Sequence, residues 1–564
     1  MPEIKKPTTV FALGGIEEIG KNMYIVEHDD ELIIIDCGNK FSDENELPGV
    51  TSVICPFDYL KDNEKKIKAL IITHAHEDHI GGVPFLLKTV NIPVIYGSLL
   101  VQNILKRKLK EHPDAKLNKF VELKDDTVVE TKHFKIDFFR VCHSIPLCFG
   151  MCINTPNGNI VTCGDFRFDF SEKMEQTDIH KIANIAQRGI DLMLCETTNA
   201  EAGGFSTSEK FVLDEVRRQI AKAPGRVFIT TFASNLRRIQ NIIEVAINLN
   251  RRICIIGKTM DDNIRTSINT GLLKTFKTDF VEPCDIKNTP DNELVIILTG
   301  SQGEPTAALS MMANGKYPHL ILKPSDTMLF SSNPIPGNFA SVEELVNKLY
   351  KCGVKVVQNT PTTKLHCSGH ATQTELELMV KLVAPKYIVP IHGEYKMLAA
   401  MEHNMEFLGL PKERYIQLSN GQKVHLINHE LEVTDEFVDT KEVYVDGKKI
   451  NEDNSKILGA RRILGTDGVF NATIVIDRKA KKIIGLPVLI TRGCFYANGS
   501  MGLIKKICYS IKENIEKEMK KSSAPITNLT IRKIAENTIT FFIWKNKNKR
   551  PLVKATVFDE KIDE

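Results

Sequence analysis

The sequence "IITHAHEDHI", residues 71–80, runs from an apolar segment directly into side chains that are costly to bury unpaired. His74, His76, Asp78 and His79 form the pattern H-x-H-x-D-H, and two glycines follow it. Imidazole nitrogen and carboxylate oxygen are suitable ligands for zinc or manganese. A polar loop with incidental histidines is the alternative, but three of the chain's 15 histidines lie within this short stretch. The pattern therefore predicts a metal-binding loop at the end of a strand.

One loop offers too few ligands for two metal ions, so further ligands are expected at the ends of other strands. His143 follows the apolar segment "FKIDFFRVC", Asp165 follows "NIVTCG", and His392 follows "KYIVP". A lone histidine beside a strand is usually structural. Together, however, the three residues occupy equivalent positions and supply the missing ligands.

Length and composition indicate an ordinary globular protein of several domains. A chain of 564 residues exceeds one core, so about three domains are expected. The net charge of +3 neither favours nor excludes nucleic acid, and a polyanion would need a local groove. The 13 cysteines are scattered and form no CxxC pair, and no signal peptide or membrane span is apparent. These features predict a cytoplasmic protein without membrane contact.

The order of elements suggests an inserted domain. Short β-rich segments come first, and helix–strand alternation from residue 209 predicts a parallel α/β unit. After His370, a helix with a capping box at Thr372 and Glu375 leads to a strand that ends at His392. A polar stretch after 430 suggests a linker, and the segment from 455 predicts a small ββα module.

The H-x-H-x-D-H pattern with downstream His, Asp and His resembles the metallo-β-lactamase superfamily, an αββα sandwich with metal ions at one edge. The resemblance implies two metal sites that share Asp165. One site would use His74, His76, His143 and Asp165, and the other would use Asp78, His79, Asp165 and His392. Asp36 in "IIIDCG" would support the ligands without binding a metal ion.

The α/β insertion resembles the β-CASP domain of nucleases in this superfamily, because His392 lies beyond it. Glu196 in "LCETTNA", His370 in "HCSGH" and His392 in "PIHGEY" match three motifs of that group. The match is closer to the bacterial ribonuclease J family, through "GGIEEIGKNMYIVE", "THAHEDHIGGVPFLL", "HSIP", "TTFASNLRRIQ", "TGSQGEP", "SSNPIPGN" and "PIHGEYKML". Ala75 stands where the family usually has glycine, and Glu196 where it usually has aspartate.

This resemblance implies a fold class and a domain order. The expected fold is an α/β metallo-β-lactamase sandwich with an inserted β-CASP domain and a small C-terminal α+β domain. The expected boundaries are 1–208 and 371–430 for the two parts of the metallo-β-lactamase domain, 209–370 for the β-CASP domain, 431–454 for a linker and 455–564 for the C-terminal domain.

The implied activity is hydrolysis of RNA phosphodiesters by a two-metal mechanism, both from the 5′ end and internally, in mRNA decay and rRNA processing. Asp78, His370 and Glu196 are the expected catalytic residues, with His370 protonating the leaving 3′ oxygen. The expected cofactors are two divalent ions, zinc first, with Mn²⁺ or Mg²⁺ as alternatives. A neutral structural histidine is the alternative for His370.

Two segments are expected to contact the substrate. His366, Cys367, Ser368, Gly369 and His370 would form an anion-binding nest, and Ser234 and Ser331 would line a pocket for a 5′ monophosphate. Ordinary turn chemistry is the alternative for the two serines. The basic stretch "IWKNKNKRP" near the C-terminus is expected to be a solvated strand end, with RNA contact as the alternative.

The expected partners are single-stranded RNA, a second copy of the chain bound through the C-terminal domain as a dimer or tetramer, and a ribonuclease J paralogue or other RNA-decay proteins. Two other functions are compatible with the sequence. A DNA-directed nuclease would carry the same insertion, and a structural subunit of a ribonuclease complex would be only weakly catalytic. The complete set of candidate ligands argues against the structural subunit.

Overall fold

A computed structural model describes residues 6–42, 47–171, 175–275, 280–318, 320–335, 337–451, 454–495 and 500–560. The chain divides into two compact units. The first unit comprises Met1–Phe41 and Ser52–Val443, and the second comprises Ser42–Thr51 and Tyr444–Glu564. The domain boundaries expected above remain predictions.

Two β-sheets form the framework of the first unit. The eight-stranded sheet has the order Glu430–Phe437, Gln422–Ile427, Thr8–Gly14, Met23–His28, Glu31–Ile35, Ile67–Ile71, Ile95–Gly97 and Phe120–Glu122. The six-stranded sheet has the order Tyr387–Ile391, Leu192–Glu196, Gly158–Thr162, Cys148–Thr155, Lys135–Val141 and Val128–Glu130. Their buried apolar residues, among them Ile33, Ile71, Phe138 and Leu194, belong to one core. The expected sandwich is therefore present.

Helices and short elements complete this part of the unit. The helices are Asp58–Asp62, Glu77–Ile80, Val83–Thr89, Leu99–Glu111, Ile179–Ala186, Gln373–Val383 and Tyr395–Phe407, with 3₁₀ turns at Glu64–Lys66 and Lys412–Arg414. Strands Asn39–Phe41 and Ser52–Ile54 pair antiparallel. The predicted capping box is confirmed, because the Glu375 carboxylate accepts hydrogen bonds from the backbone N–H and the hydroxyl of Thr372.

The insertion is a parallel α/β unit, as its helix–strand alternation predicts. Its sheet has the order Arg252–Ile256, Leu294–Leu298, Val227–Thr230, Thr327–Phe330 and Lys355–Val357, with every pairing parallel. The helices are Glu209–Lys222, Leu236–Asn248, Lys258–Asn269, Ala308–Ala313 and Phe339–Lys351, with 3₁₀ turns at Pro283–Asn288 and Asp291–Glu293. Continuous apolar strands such as "LVIIL" are buried on both faces, which parallel sheets require.

The C-terminal segment contains more structure than the predicted ββα module. A hairpin joins Val443–Asp446 to Lys449–Asn451 and is followed by helix Asn454–Thr466. Strands Val469–Asp477, Lys482–Ile483 and Val488–Arg492 then precede two helices, Met501–Lys521 and Asn528–Lys547, and a last strand, Leu552–Asp559.

The predicted strand pair and the predicted helix are confirmed, since Val469–Asp477 pairs antiparallel with Val488–Arg492 and helix Met501–Lys521 follows. The last strand also pairs parallel with Val469–Asp477, so the unit is larger than the predicted ββα module. The "IWKNK" stretch ends a helix rather than a strand. Among the described residues, no helix is both long enough and apolar enough to span a membrane.

Candidate active site

The candidate ligands come together because the strands that precede them run in the same direction. Strands Gly158–Thr162, Leu192–Glu196 and Tyr387–Ile391 are parallel neighbours, so their carboxyl ends meet at one edge of the sheet. Asp165 and His392 follow two of these strands, and Glu196 ends the third. The sandwich therefore collects side chains that are more than 200 positions apart in sequence, such as Asp165 and His392.

A first cluster contains His74, His76, His143 and Asp165, each of which offers one ligand atom within 4.8 Å of the others. His76 Nδ1 lies 3.1 Å from His74 Nε2 and 3.0 Å from His143 Nε2. His74, His143 and Asp165 are buried. Burial lowers the pKa of His76 to about 4, which keeps the ring in the neutral form that binds metal.

A second cluster contains Asp78, His79, Asp165 and His392. Asp165 Oδ2 lies 3.2 Å from His79 Nε2, 3.3 Å from His392 Nε2 and 3.6 Å from His74 Nε2, so this oxygen lies between the two clusters. Asp78 Oδ2 lies 3.4 Å from His392 Nε2. The structure thus brings together all seven side chains that the sequence predicts as metal ligands.

In three of the candidate ligands, the ring nitrogen that faces away from the clusters has an oxygen acceptor, which fits metal binding through the other nitrogen. Three Nδ1 atoms lie near oxygen acceptors: His79 at 2.8 Å from Asp36 Oδ2, His143 at 2.6 Å from the Gly369 carbonyl oxygen, and His74 at 3.0 Å from Thr73 Oγ1. A neutral imidazole that donates through Nδ1 leaves Nε2 as a lone-pair donor. Asp165 Oδ2 and His392 Nε2 are buried and have no hydrogen-bond partner in the described part of the chain. These unpaired atoms fit a site that binds cations.

Asn22, at the end of the loop "GGIEEIGKN", and Tyr24, in the strand that follows it, also lie close to the site. Asn22 is fully buried, and its amide nitrogen lies 3.1 Å from His79 Nε2 and 3.2 Å from His392 Nδ1. The Tyr24 hydroxyl donates to Asn22 Oδ1 at 2.8 Å. Asn22 is not among the site residues predicted from the sequence, although the segment that contains it carries part of the family resemblance.

His370 lies beside Asp165, but its hydrogen-bond partner is Glu196. Its Nδ1 lies 2.7 Å from Glu196 Oε2 and 3.8 Å from Asp165 Oδ2. The backbone N–H of Phe166 donates to Glu196 Oε1 at 2.8 Å and so orients the carboxylate. Burial disfavours the charged ring, but the Glu196 and Asp165 carboxylates outweigh it and raise the pKa of His370 to about 9.

The segment 366–370 has mixed exposure. Ser368 Oγ accepts hydrogen bonds from Asn199 Nδ2 at 2.7 Å and from the His370 backbone N–H at 3.2 Å. Cys367 is buried, and its thiol donates to Glu209 Oε2 at 3.0 Å, so the expected substrate contact of its side chain finds no support here. Asn199, which follows Glu196 in "ETTNA", is not among the site residues predicted from the sequence.

The two serines expected in a phosphate pocket differ in accessibility. Ser331 is fully buried, and its hydroxyl donates to the Leu365 carbonyl oxygen at 2.7 Å, which leaves it poorly placed to bind a phosphate. Ser234 is half-buried and lines a small pocket together with Asn103, Arg107 and Asn263. A 5′-phosphate role for either serine remains a prediction.

Family models match successive parts of the chain. They are "Ribonuclease J, beta-CASP domain" over residues 224–349, "Metallo-beta-lactamase superfamily" over 17–181, "Ribonuclease J C-terminal domain" over 456–559 and "Zn-dependent metallo-hydrolase RNA specificity domain" over 360–416. Ribonuclease J of Mycoplasma genitalium is 48% identical over 98% of this chain and 97% of its own length. The chain belongs to the ribonuclease J family. Ribonuclease J 1 of Streptococcus pyogenes is 37% identical over 96% of each chain.

Membership of the ribonuclease J family makes the protein a metal-dependent ribonuclease, with a metallo-β-lactamase domain, an inserted β-CASP domain and a ribonuclease J C-terminal domain. It also indicates that the protein binds divalent metal and acts on RNA. A solved structure of a protein of unknown function from Enterococcus faecalis matches with a TM-score of 0.55 at 17% identity, covering 74% of this chain and 100% of that chain. That match supports the fold alone.

Proposed function

We propose that the protein hydrolyses single-stranded RNA with two divalent ions, working from the 5′ end and also internally, in mRNA decay and rRNA processing. His74, His76 and His143 would hold one ion, and Asp78, His79 and His392 the other, with Asp165 shared. Zinc is the proposed metal, because imidazole-rich sites suit it. The observation that carries the proposal is the position of Asp165 Oδ2 between the two clusters, buried and without a hydrogen-bond partner in the described part of the chain.

Ions bound in these clusters would supply an activated water and offset negative charge at the phosphorus. The protein side chains then have separate tasks. Asp78 is 29% exposed, unlike the buried Asp165, so its carboxylate is accessible to accept a hydrogen bond from the attacking water. Asp36 holds His79 by a 2.8 Å contact, which keeps the ring oriented while the substrate binds.

His370 is the proposed proton donor to the leaving 3′ oxygen. Its Nδ1 is engaged by Glu196, so Nε2 is the atom that would deliver the proton. With 22% of its side chain exposed, His370 is accessible from the cleft, whereas Glu196 is buried behind it. Glu196 would therefore act by orienting His370.

Ser368 and Asn199 are the proposed means of holding a phosphate beside His370. The Ser368 hydroxyl accepts two hydrogen bonds and can still donate one, which a phosphate oxygen would accept. Asn199 Nδ2 also lies 3.2 Å from the His370 carbonyl oxygen, so one amide supports both residues. A pocket for a terminal phosphate, to which Ser234 is proposed to contribute, would favour cleavage from the 5′ end.

We further propose that the protein acts in the cytoplasm and self-associates through its C-terminal unit. All 13 cysteines are free thiols, which suits a reducing compartment. Val488 and Ile490, on one edge strand of that unit, are each 58% exposed. Apolar side chains at such positions are available to pack against a second copy.

One set of measurements tests the proposed function. Metal content would be determined on the full-length protein and on His76→Ala and Asp78→Ala, with His403→Ala, an exposed histidine, as the matched control. We expect two ions per chain and RNA cleavage in the wild type and the control, and loss of cleavage in the two variants while both remain folded. Cleavage retained in the variants would refute the proposal.

A second experiment measures which nucleic acid and which 5′ end group the protein prefers. Matched RNA and DNA strands would be compared, and one RNA would carry 5′ monophosphate, triphosphate or hydroxyl, with the products mapped. We expect RNA to be preferred and the 5′ end group to change the rate of terminal cleavage. A preference for DNA would overturn the choice of substrate, and indifference to the end group would remove the terminal-phosphate pocket.

A further inference from the structure

We propose that Arg238 is a positioning residue that fixes the tautomer of His366, so that His366 meets RNA as a neutral hydrogen-bond donor through Nε2. The proposal rests on the proposed function, in which the segment 366–370 contacts the substrate. Arg238 lies on helix Leu236–Asn248 of the inserted domain, far from His366 in sequence. Neither residue is a proposed metal ligand.

The contact between the two side chains determines which ring nitrogen carries the hydrogen. Arg238 Nη1 lies 2.6 Å from His366 Nδ1. A guanidinium group has N–H donors and no acceptor, so His366 Nδ1 must accept this hydrogen bond. A neutral imidazole carries one N–H group, and in His366 that hydrogen is therefore on Nε2.

Arg238 is itself held rigidly. It is 1% exposed, and its Nε and Nη2 each donate at 2.8 Å to the two oxygens of the buried Glu209 carboxylate. The same guanidinium also donates to the Ser331 carbonyl oxygen at 3.1 Å and to Cys367 Sγ at 3.1 Å. A planar group with this many fixed contacts cannot turn away from His366 without breaking several of them.

The arrangement also keeps His366 uncharged. Burial and the adjacent Arg238 charge lower the pKa of His366 to about 3, against the smaller opposing effects of the Glu209 charge and of the Ser331 carbonyl oxygen, which can accept a hydrogen bond from the ring. A second positive charge next to a buried guanidinium would be strongly unfavourable. The expected contact with RNA is thus a directed hydrogen bond from Nε2–H to an acceptor oxygen, and not an ion pair with phosphate.

Histidine ring nitrogen NMR tests the tautomer directly on the full-length protein without RNA. Selective ¹⁵N-histidine labelling would be combined with His366→Ala, which removes one ring system and so assigns its signals. We expect Nδ1 of His366 to have the shift of an unprotonated nitrogen and Nε2 that of a protonated one. An Nδ1–H tautomer, with its hydrogen directed at the Ser331 carbonyl, or an imidazolium ring would overturn the proposal. Because no RNA is present, the result does not depend on whether the protein cleaves RNA.

Kinetics then test whether the tautomer matters for substrate binding. Gln places an N–H near the position of Nε2, so His366→Gln should retain more of the binding than His366→Ala. We expect His366→Ala to raise KM for RNA by about two- to tenfold, the range of one neutral hydrogen bond, with a smaller change in kcat. Equal KM values for the Gln, Ala and wild-type proteins would show that no such hydrogen bond is made.

A double-mutant cycle isolates the role of Arg238. Arg238→Lys keeps the charge beside Glu209 but removes the guanidinium fork. We expect it to raise KM in the wild-type background and to have little further effect in His366→Ala. Arg237→Lys, on the same helix but paired with Glu175 at 3.2 Å, is the matched control. Additive effects in the cycle would contradict positioning through His366, and if Arg238→Lys fails to fold, the NMR measurement still decides.

Discussion

Asp36 Oδ2 lies 2.8 Å from His79 Nδ1, although the two residues follow different strands and are 43 positions apart. The same carboxylate accepts hydrogen bonds from the backbone N–H and the hydroxyl of Thr73, each at 2.8 Å. Asp36 therefore organises the start and the end of the loop that carries the H-x-H-x-D-H pattern. Its backbone has a φ of 60°, in the left-handed region that aspartate adopts more readily than most residue types.

The first prediction concerns Asp36. Asp36→Asn keeps the size of the side chain but removes the charge that holds His79 in the Nδ1–H tautomer. We expect metal affinity or RNA cleavage to fall about 10- to 100-fold, the usual effect of losing a carboxylate behind a metal-binding histidine. Titration of the metal-free protein with metal measures the affinity. Asp125→Asn, at a carboxylate that is 70% exposed, should leave affinity unchanged, and an unaffected Asp36→Asn would show that Asp36 does not support the site.

The second prediction separates the proposed proton donor, His370, from the proposed metal ligands. His370→Ala should lower kcat for RNA about 10²- to 10⁴-fold while metal content stays at the wild-type level, because His370 would move a proton without binding an ion. Single-turnover cleavage and elemental analysis on the same samples would provide both values. His180→Ala, at an exposed histidine, is the control. Loss of metal in His370→Ala would instead assign His370 to a metal site with Asp165 and Glu196.

The third prediction concerns acid stability. Burial disfavours the Glu209 carboxylate, but Arg238 outweighs it and lowers the pKa of Glu209 to about 2 from an ordinary 4.5. A folded-state pKa below the unfolded value stabilises the fold above about pH 4.5, and this stabilisation is lost as the pH falls towards 2. The loss should amount to about 3 kcal/mol at most in the free energy of unfolding.

Denaturation curves between pH 5 and 3 measure this effect. Glu209→Gln should be less stable at pH 5, because Arg238 loses its partner, and its stability should change less steeply with pH than that of the wild type. Glu344→Gln, which removes an exposed helical ion pair with Lys348, should follow the wild-type slope. Parallel slopes for Glu209→Gln and the wild type would contradict the prediction.

The fourth prediction concerns Gly38, which packs against the loop that carries the H-x-H-x-D-H pattern. A Cβ atom at Gly38 would lie 1.6 Å from the Asp78 carbonyl oxygen and 2.9 Å from the His79 backbone nitrogen. Gly38→Ala must therefore displace the loop, and we expect a lower thermal midpoint and reduced metal content. Gly459→Ala lies in a helix with nothing within 4 Å of the added atom, and should be neutral or stabilise by up to about 1 kcal/mol. Normal metal content in Gly38→Ala would disprove the prediction.

The sequence predicted local structure well where one periodic pattern dominated. The apolar strands of the inserted domain, such as Leu294–Leu298, were identifiable as parallel strands because they alternate with amphipathic helices. The C-terminal helix Asn528–Lys547 was missed, because its Thr, Ile and Phe residues favour strands in isolation. Ile531, Ala535, Ile539 and Ile543 repeat every four positions and are buried, and this shared packing outweighs the propensity.

By itself, the sequence was enough to predict the loop of candidate metal ligands, since the spacing of His74 to His79 is local and the ligand types can be identified from the residues alone. Only the tertiary structure decided how the distant residues are used. Long-range contacts turn the Cys367 thiol towards Glu209, engage the Ser331 hydroxyl with Leu365 and set Arg238 against His366. Side-chain direction depends on which strands and helices become neighbours, and no local pattern encodes that choice.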